Sequence, residues 1–331
     1  MYFYCEKCKK KYPISTLSYR CRCGGLFRLF KKTTEEMVHT VSIGEIKTPL
    51  VRAKIDRMEV FLKMEQLQPT GSFKGRGAYT LINQLKNVGI KSIVEDSSGN
   101  AATAIAAYAA AAGIECSVYL PTGTAAARIN QISAYGAKIK EVEGSRDKAG
   151  EAARAAAANT YYASHVYNPL FFEGTKSLAY EIYEQMDFQV PEYIFMPVGN
   201  GSMLLGLYYG FIEIGRLPKF IAVQSENCCP VYQGFYDLPR RRIGKTVASG
   251  IRVGRPPRLP EMVMALHHSQ GDVVTVSDEE LLIAQDKIGR QGLYAEATAA
   301  VAFAGARKYF AEGKPDNYRV IIPLTGSGLK K

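Results

Sequence analysis

The sequence has no apolar run of membrane-spanning length, no secretory pattern at its N-terminus, no internal repeat and no low-complexity linker. A bilayer core requires roughly 20 consecutive apolar residues, and a secretory leader carries an apolar stretch of its own. A soluble protein of the cytoplasm without a membrane partner is therefore expected. The 331 residues are 47% hydrophobic, which is enough for a large core and more than one lobe.

An aromatic-interleaved basic stripe is also absent, although the net charge is +11. Such a stripe is typical of proteins that bind nucleic acids. The basic residues are scattered, apart from short clusters at 7–11 and 240–242. Because an anionic small-molecule substrate or cofactor explains part of the charge equally well, we expect a small-molecule partner and no nucleic acid.

The seven cysteines lack the regular spacing of a disulfide framework, and a cytosolic chain keeps its thiols reduced. Cys5-x2-Cys8 and Cys21-x-Cys23 form two paired knuckles of the kind found in zinc ribbons. The second pair is one residue tighter than usual, so a structural zinc ion and a metal-free ribbon both stay open. The remaining cysteines are expected to pack as small apolar side chains: Cys116, Cys228 and Cys229.

Strand and helix patterns alternate along most of the chain. Strands are predicted at 90–95, 115–120, 138–142, 161–163, 193–197, 220–224 and 320–323. Helices are predicted at 101–112, 125–135, 147–158, 172–186, 203–214, 279–289 and 298–310. This alternation predicts open, mostly parallel sheets that carry helices on both faces.

The predicted architecture is an α/β fold with two lobes and a small cysteine ribbon. The ribbon-like segment is assigned to 1–40, the large lobe to 41–85 and 177–331, and a smaller, mobile lobe to 86–176. Ligands of open α/β sheets bind at the carboxyl ends of the strands, so the site is expected there, between the lobes.

One lysine is expected just inside the start of a helix. Ser72 is a good N-cap for this helix, and apolar residues at helical spacing follow it, so Lys74 falls in the first turn. The helix dipole and burial both disfavour a protonated amine there. A neutral amine is required for covalent attachment to an aldehyde cofactor. The alternative is an ordinary helix start with a solvated lysine.

Three further segments follow apolar strands in order along the chain. They are Ser-Ser-Gly-Asn at 97–100, Pro-Val-Gly-Asn-Gly-Ser at 197–202, and Pro-Leu-Thr-Gly-Ser-Gly-Leu-Lys at 323–330. Together with the lysine segment at 68–78, they resemble the motifs of fold-type-II pyridoxal-phosphate enzymes, the tryptophan synthase β-like family. Within that class the chain is most similar to the threonine synthases, over nearly its whole length.

The resemblance implies a role for each motif in holding pyridoxal 5'-phosphate. Lys74 would attach the cofactor, Asn100 would bond its phenolic oxygen, and Thr325 would meet its pyridine nitrogen. A neutral hydroxyl does not hold that nitrogen protonated, so elimination and replacement are favoured over transamination. Taken alone, Asn100 and Thr325 are equally a helix N-cap and a turn residue. The implied phosphate cradle consists of Gly199, Asn200, Gly201, Ser202 and Met203.

The resemblance implies one substrate-binding place in the loop before the helix at 101–112 and a second near residue 170. Ser97, Ser98 and Gly99 would gather the substrate carboxylate, and Thr103 could join them. The family's acidic residue near the ring corresponds to Glu296.

Near residue 170 the chain departs from the family. Threonine synthases carry an arginine for the substrate phosphate where this chain has Phe171, which predicts weaker phosphate recognition that Phe171→Arg should strengthen. Lys176 is retained. Nearby polar residues that could still form a phosphate site are Ser164, His165 and Asn168.

The implied reaction converts O-phosphohomoserine and water to threonine and phosphate, with Lys74 as general base. The alternatives are a serine or threonine dehydratase and a β-replacement enzyme, for example one that uses phosphoserine. Gly75 favours a dehydratase, because threonine synthases usually have aspartate there. A nucleic-acid-binding zinc protein is the rival from another class, but it does not explain the ordered motifs. A homodimer is expected.

Overall fold

The computed structural model describes residues 1–32, 34–311 and 318–330. In chain order the strands are β1 (Tyr2–Cys5), β2 (Lys11–Tyr12), β3 (Phe27–Phe30), β4 (Leu50–Ile55), β5 (Met58–Lys63), β6 (Ser92–Glu95), β7 (Glu115–Pro121), β8 (Lys138–Val142), β9 (Tyr161–Tyr162), β10 (Tyr193–Pro197), β11 (Lys219–Ser225), β12 (Asp272–Val276) and β13 (Val320–Pro323). The helices are α1 (Lys74–Asn87), α2 (Asn100–Ala112), α3 (Ala126–Ala134), α4 (Arg146–Ala156), α5 (Pro169–Thr175), α6 (Ser177–Gln185), α7 (Ser202–Ile214), α8 (Pro230–Phe235), α9 (Leu259–His268), α10 (Asp278–Gly289) and α11 (Ala297–Tyr309).

The chain divides into two compact units. The first unit comprises Met1–Glu45 and Lys74–Gly174, and the second comprises Ile46–Phe73 and Thr175–Lys330. The predicted boundary at residue 85 differs from this division, because α1 packs within the first unit. Its apolar stripe shares one core with α2 and with Phe3 and Phe27 of the N-terminal sheet. The predicted ribbon at 1–40 is therefore part of the first unit.

The first unit contains two sheets. A small antiparallel sheet has the strand order β2-β1-β3. A parallel sheet has the order β8-β7-β6-β9. Successive residues of β6 enter different cores: Ile93 packs with α1 and α2, whereas Val94 packs with Ala153 and Ala157 of α4 and its end. Helices thus cover both faces of the parallel sheet, as the alternation predicted.

The second unit is built on one sheet of order β12-β11-β10-β13-β5-β4. All its pairs are parallel except the β4–β5 hairpin. The alanine-rich helix α11 is buried in its core, where small side chains allow helix and sheet to approach closely. At Gly305 a Cβ atom would lie 2.4 Å from a methyl of Val223, so the contact requires glycine.

The predicted α/β fold with mostly parallel sheets is confirmed, with some local differences. The predicted helix 172–186 is two helices, α5 and α6, which meet at Lys176. The hairpin β4–β5 and the elements β12, α8 and α9 were not predicted. Among the described residues, no helix is long and apolar enough to cross a membrane.

Candidate active site

The glycine-rich loop between β10 and α7 has the shape of a phosphate cradle. Gly201 has φ +79° and is the N-cap of α7, with no side chain capping the helix. A Cβ atom on Gly201 would lie 2.2 Å from Sδ of Met262, and one on Gly199 would lie 3.0 Å from Cα of Ile251. Backbone N–H groups at such a helix start attract an anion. The loop therefore fits the phosphate of the expected cofactor.

Two buried hydroxyls lie where the segment before Lys74 pairs with the end of β13. Ser72 forms an antiparallel bridge with Gly326, and the N–H of Phe73 donates to the carbonyl of Thr325 at 3.1 Å. Ser72 is 0% exposed and Thr325 is 2% exposed. Neither hydroxyl has a hydrogen-bond partner among the described residues.

Leaving a buried hydroxyl without a partner costs about 1–3 kcal/mol. A bound molecule with a polar ring atom would recover that cost, so Thr325 fits the role expected for it toward the pyridine nitrogen. The prediction that Ser72 caps α1 is wrong. The helix begins two residues later, at Lys74, because Ser72 is extended and paired with Gly326.

The segment that carries Glu296 is held by the same strand end. The N–H of Glu296 donates to the carbonyl of Gly326 at 3.0 Å, and Glu296 is the N-cap residue of α11. Ala295 forms a bridge with Ser327. The backbone thus places Glu296 next to the Thr325 turn.

Lys74 is the first residue of α1, and its Nζ lies 5.6 Å from the centroid of the Phe171 ring. Phe171 is fully buried, and its ring occupies the space that a Cβ atom on Gly77 would fill, at 2.4 Å. This packing argues against the stronger phosphate recognition that was expected of Phe171→Arg. A guanidinium there would be buried against α1, so we now expect a loss of stability instead.

The carboxyl end of β6 carries a buried pair that sequence reasoning missed. Glu95 Oε1 lies 2.8 Å from Nδ1 of His165, and both side chains are at least 95% buried. Burial raises the pKa of Glu95 well above its usual range, and Asp96 adds to this, whereas Lys74 and Arg146 oppose it. Burial also lowers the pKa of His165 well below its usual range, with Lys74 and Arg146 acting in the same direction. Both shifts favour the uncharged forms, a protonated acid beside a neutral imidazole.

The Ser-Ser-Gly-Asn loop leads directly from Glu95 into α2. The hydroxyl of Ser97 accepts from the N–H of Gly99 at 3.2 Å. Gly99 is the N-cap of α2, with no side-chain cap, so the alternative of Asn100 as the N-cap is wrong. Asn100 is the first helical residue, and Thr103 is buried one turn later. Ser98 is half-buried in the same loop. Backbone donors at this helix start suit a carboxylate.

Two other predicted substrate contacts have structural partners instead. The amide of Asn168 donates to Tyr161 Oη at 2.8 Å, and its oxygen accepts from the N–H of Leu170 at 3.0 Å, at the start of α5. The Lys176 amine pairs with Glu213 at 2.5 Å.

The position of Lys176 along α7 also separates it from the phosphate cradle. Its carbonyl oxygen lies 3.0 Å from where a Cβ atom on Gly210 would be. Gly210 is eight residues beyond Ser202, which is about 12 Å along the helix. This separates Lys176 from the expected site of the cofactor phosphate, and because its amine is paired with Glu213 we leave it out of the proposed contacts to the substrate phosphate.

The four N-terminal cysteines come together despite the tight second spacing. The thiol sulfurs of Cys5, Cys8, Cys21 and Cys23 all lie within 4.8 Å of one another. A hydrogen bond from Tyr12 lowers the pKa of Cys21 to about 6, and the backbone at Cys23 contributes. Thiolates in this arrangement are suitable ligands, so the cluster could bind a metal ion.

Comparison with known proteins identifies the family and the fold. The family model for "Pyridoxal-phosphate dependent enzyme" matches residues 41–326. Solved structures with the same fold include a threonine deaminase of T.th., which is 25% identical, with a TM-score of 0.72 over 85% of this chain and 92% of that one. Another is maize serine racemase, at 21% identity and a TM-score of 0.76 over 86% and 88%.

The chain thus belongs to the family of pyridoxal-phosphate-dependent enzymes, with a fold of type II. Within this family its relatives include threonine synthases. That of Methanocaldococcus jannaschii is 32% identical over 98% of this chain and 92% of its own length. That of Synechocystis is 32% identical over 96% and 86%.

Proposed function

We propose that the protein is a threonine synthase that converts O-phosphohomoserine and water to threonine and phosphate. The observation that carries the proposal is the buried hydroxyl of Thr325, which has no partner among the described residues. It lies in the same unit as a glycine loop shaped for a phosphate. A neutral partner at the ring nitrogen favours elimination and replacement chemistry. The similarity to threonine synthases over nearly the whole chain supports the substrate class.

Each motif then has a task in the reaction. When bound, the cofactor supplies a conjugated system that stabilises negative charge at the substrate Cα. Lys74 holds the cofactor and, once released, takes the proton from Cα and moves a proton at Cβ as general base. Phosphate leaves from Cγ and water adds at Cβ. The 199–203 loop holds the cofactor phosphate, Asn100 bonds its phenolic oxygen, and the 97–99 loop holds the substrate carboxylate.

A serine or threonine dehydratase is the second candidate. It does not require the two contacts that were expected to hold a substrate phosphate. Position 171 carries a buried phenylalanine instead of an arginine, and the Lys176 amine is paired with Glu213. The likeness to a threonine deaminase structure also supports it. A β-replacement enzyme that uses phosphoserine is a third candidate with the same cofactor set.

Product analysis separates these functions. The holoenzyme is incubated with O-phosphohomoserine, phosphoserine, serine and threonine, and phosphate, threonine, ammonia and keto acid are assayed. The proposal requires equal amounts of threonine and phosphate from O-phosphohomoserine. Ammonia and keto acid from serine or threonine, with no phosphate from O-phosphohomoserine, would establish the dehydratase. The Lys74→Ala variant is the control for reactions that the protein does not catalyse.

We further propose that the cysteine cluster holds a structural zinc ion, since four thiol sulfurs at this spacing match a tetrahedral site. The amino-acid substrate is the only partner that the proposal requires. The expected homodimer and cytoplasmic location stay predictions.

A further inference from the structure

A surface cavity of about 540 Å³ lies between the N-terminal cysteine segment and the end of α4, within the first unit. One wall is formed by residues 17–22 and Gly24, and the other by Arg154 and the alanines at 157 and 158. None of the residues assigned above to the cofactor or the substrate lines it. Small-molecule sites have volumes of roughly 300–1,000 Å³, so this cavity has room for a ligand larger than a single ion.

Three arginines line this cavity, and its described lining contains no carboxylate. Arg20 and Arg22 are exposed, and Arg154 is half-buried. None of the three forms an ion pair with a described residue. Guanidinium groups without carboxylate partners are available for charge-assisted hydrogen bonds to an anion, and their parallel N–H groups match the oxygens of a phosphate.

The loop that carries Arg20 is packed against the rest of the first unit. The Tyr19 ring lies edge-on to Tyr162 and Tyr167, with centroid distances of 5.6 and 5.1 Å. Tyr19 also packs against the apolar cluster that contains Ala157. The guanidinium carbon of Arg20 lies 5.4 Å from the centroid of the Tyr19 ring, which is a cation–π distance. The loop and Arg20 are therefore held in place before a ligand binds.

Arg154 lies in the last turn of α4, where a cation can complement the helix dipole or bond the last carbonyl groups. Three of the last carbonyl oxygens of α4 already accept backbone N–H groups. Oδ2 of Asp96 and Nη1 of Arg154 lie 2.9 and 3.0 Å from the point where a Cβ atom on Gly150 would be, without forming an ion pair. Asp96 lies outside the lining of the cavity, so it helps to orient Arg154 without presenting a negative charge to a ligand.

The charge of the N-terminal segment also favours an anion. Residues 1–40 contain nine lysines and arginines against three glutamates. A zinc ion with four thiolate ligands would carry a charge of about −2, which leaves this segment positive. Cys21 belongs to the lining of the cavity but is only 4% exposed. The accessible charge at this wall is therefore that of the arginines.

We propose that this cavity binds a pyrophosphate group, either free or as part of a nucleoside diphosphate. Two linked phosphates bring several negative charges close together, so three separate guanidinium groups can act on one ligand. Leu17 and the alanines at 157 and 158 offer apolar surface to an attached nucleoside. The inference does not depend on which amino acid the enzyme uses as its substrate.

The test is calorimetric titration of the holoenzyme with pyrophosphate, ADP and inorganic phosphate. Arg22→Ala and Arg154→Ala are compared with Lys148→Ala. Lys148 is exposed in the first turn of α4, so this control removes the same charge from the same helix outside the cavity. We expect the Kd for pyrophosphate to rise about 10-fold or more in each arginine variant and less than about twofold in the control.

Two further measurements separate binding from structure. Arg154→Lys should recover part of the affinity that Arg154→Ala loses, because the charge remains and the bidentate geometry is lost. Arg22→Ala removes an exposed side chain, so it tests the cavity even if Arg154→Ala fails to fold. Metal content and turnover of Arg22→Ala should equal those of the wild type, because the cysteines and the catalytic residues are unchanged.

Saturable binding of pyrophosphate that both arginine variants weaken and Lys148→Ala does not supports the site. Equal affinities for ADP and pyrophosphate would then show that the pyrophosphate group is recognised by itself, and tighter binding of ADP would show that the nucleoside also contacts the cavity. Inorganic phosphate bound as tightly as pyrophosphate would overturn the assignment. Absence of saturable binding, or binding that the arginine variants leave unchanged, would also overturn it, and the proposed function would stand in either case.

Discussion

The backbone N–H of Phe73 donates a hydrogen bond of 3.1 Å to the carbonyl oxygen of Thr325. The residue immediately before Lys74 is thereby fixed to the strand end that carries the proposed partner of the cofactor ring. Two further bonds, from Ser327 to Gly71 and from Leu324 to Lys63, fix the same segments to each other. The backbone immediately before α1 is therefore held by these hydrogen bonds.

Lys74→Ala is expected to remove the covalent attachment of the cofactor and all turnover while leaving the fold intact. The substitution removes the amine at the start of α1, where alanine has a high helix propensity. Borohydride reduction followed by peptide mapping measures the attachment directly. Lys86→Ala, an exposed lysine near the end of the same helix, is the matched control. Recovery of the label on another lysine would refute the assignment.

Thr325→Val is expected to weaken cofactor binding without destabilising the cofactor-free protein. The hydroxyl has no partner among the described residues, so a methyl group of the same shape removes an unpaired polar atom. We expect a roughly 10-fold higher Kd for the cofactor, which corresponds to about 1.4 kcal/mol. Spectral titration gives the Kd, and urea unfolding gives the stability. Thr70→Val, at another buried hydroxyl without a described partner, is the control. Unchanged affinity in Thr325→Val would contradict the role.

Gly201→Ala is expected to displace the phosphate loop. Its Cβ atom would lie 2.2 Å from Met262 Sδ, and φ of +79° adds about 1–2 kcal/mol of backbone strain. Gly215 has a similar φ of +91° with open space around it, so Gly215→Ala carries the strain without the clash. Cofactor affinity should fall in the first variant and stay unchanged in the second. Equal affinities in both variants would show that the loop does not hold the cofactor.

The Glu95–His165 pair predicts an unusual dependence of stability on pH. In the folded protein the pKa of Glu95 is raised above 4.5 and that of His165 is lowered below 6.5. Between pH 4.5 and 6.5 these shifts favour a folded state with its proton on Glu95, whereas the unfolded state holds one on His165. The contributions of Glu95 and His165 to the pH dependence of the free energy of unfolding therefore cancel in the wild type.

Single substitutions should reveal how each residue changes the pH dependence of stability. In Glu95→Gln only the unfolded state binds the proton, so stability relative to the wild type should rise with pH by about 1.4 kcal/mol per unit. In His165→Gln only the folded state binds it, so relative stability should fall by a similar amount per unit. Urea unfolding at several pH values between 4.5 and 6.5 measures both slopes. Slopes parallel to the wild type in both variants would mean that the pair is not neutral.

The cysteine cluster predicts one zinc ion per chain. Four thiol sulfurs within 4.8 Å of one another match a tetrahedral site, and metal binding there stabilises the small N-terminal sheet. Elemental analysis of the purified protein should show the metal, and Cys21→Ser should lose most of it. Cys228→Ala, outside the cluster, should retain it. Full metal content in Cys21→Ser would exclude this site.

The fold class was predictable because its pattern is local. Alternating short apolar strands and amphipathic helices need only neighbouring residues, and β8, β10 and β13 begin and end at the predicted residues. The β4–β5 hairpin was missed because its strands are polar on one side and lack a strong apolar run. The break between α5 and α6 falls in the polar run Glu-Gly-Thr-Lys-Ser at 173–177, and its glycine is a signal that sequence reasoning overlooked.

Some residues of the candidate site were also predictable from the sequence, whereas others depended on the tertiary structure. Lys74, the 199–203 loop and Thr325 could be proposed as site residues from the sequence, because their motifs resemble those of the family and follow one another in the family's order. The Glu95–His165 pair joins residues 70 positions apart, and Phe171 meets Gly77 across a buried helix contact. Lys176 meets Glu213 in the same long-range way. Such partners depend on how strands and helices pack, so the three-dimensional fold alone decides which polar groups are already satisfied and which remain for a ligand.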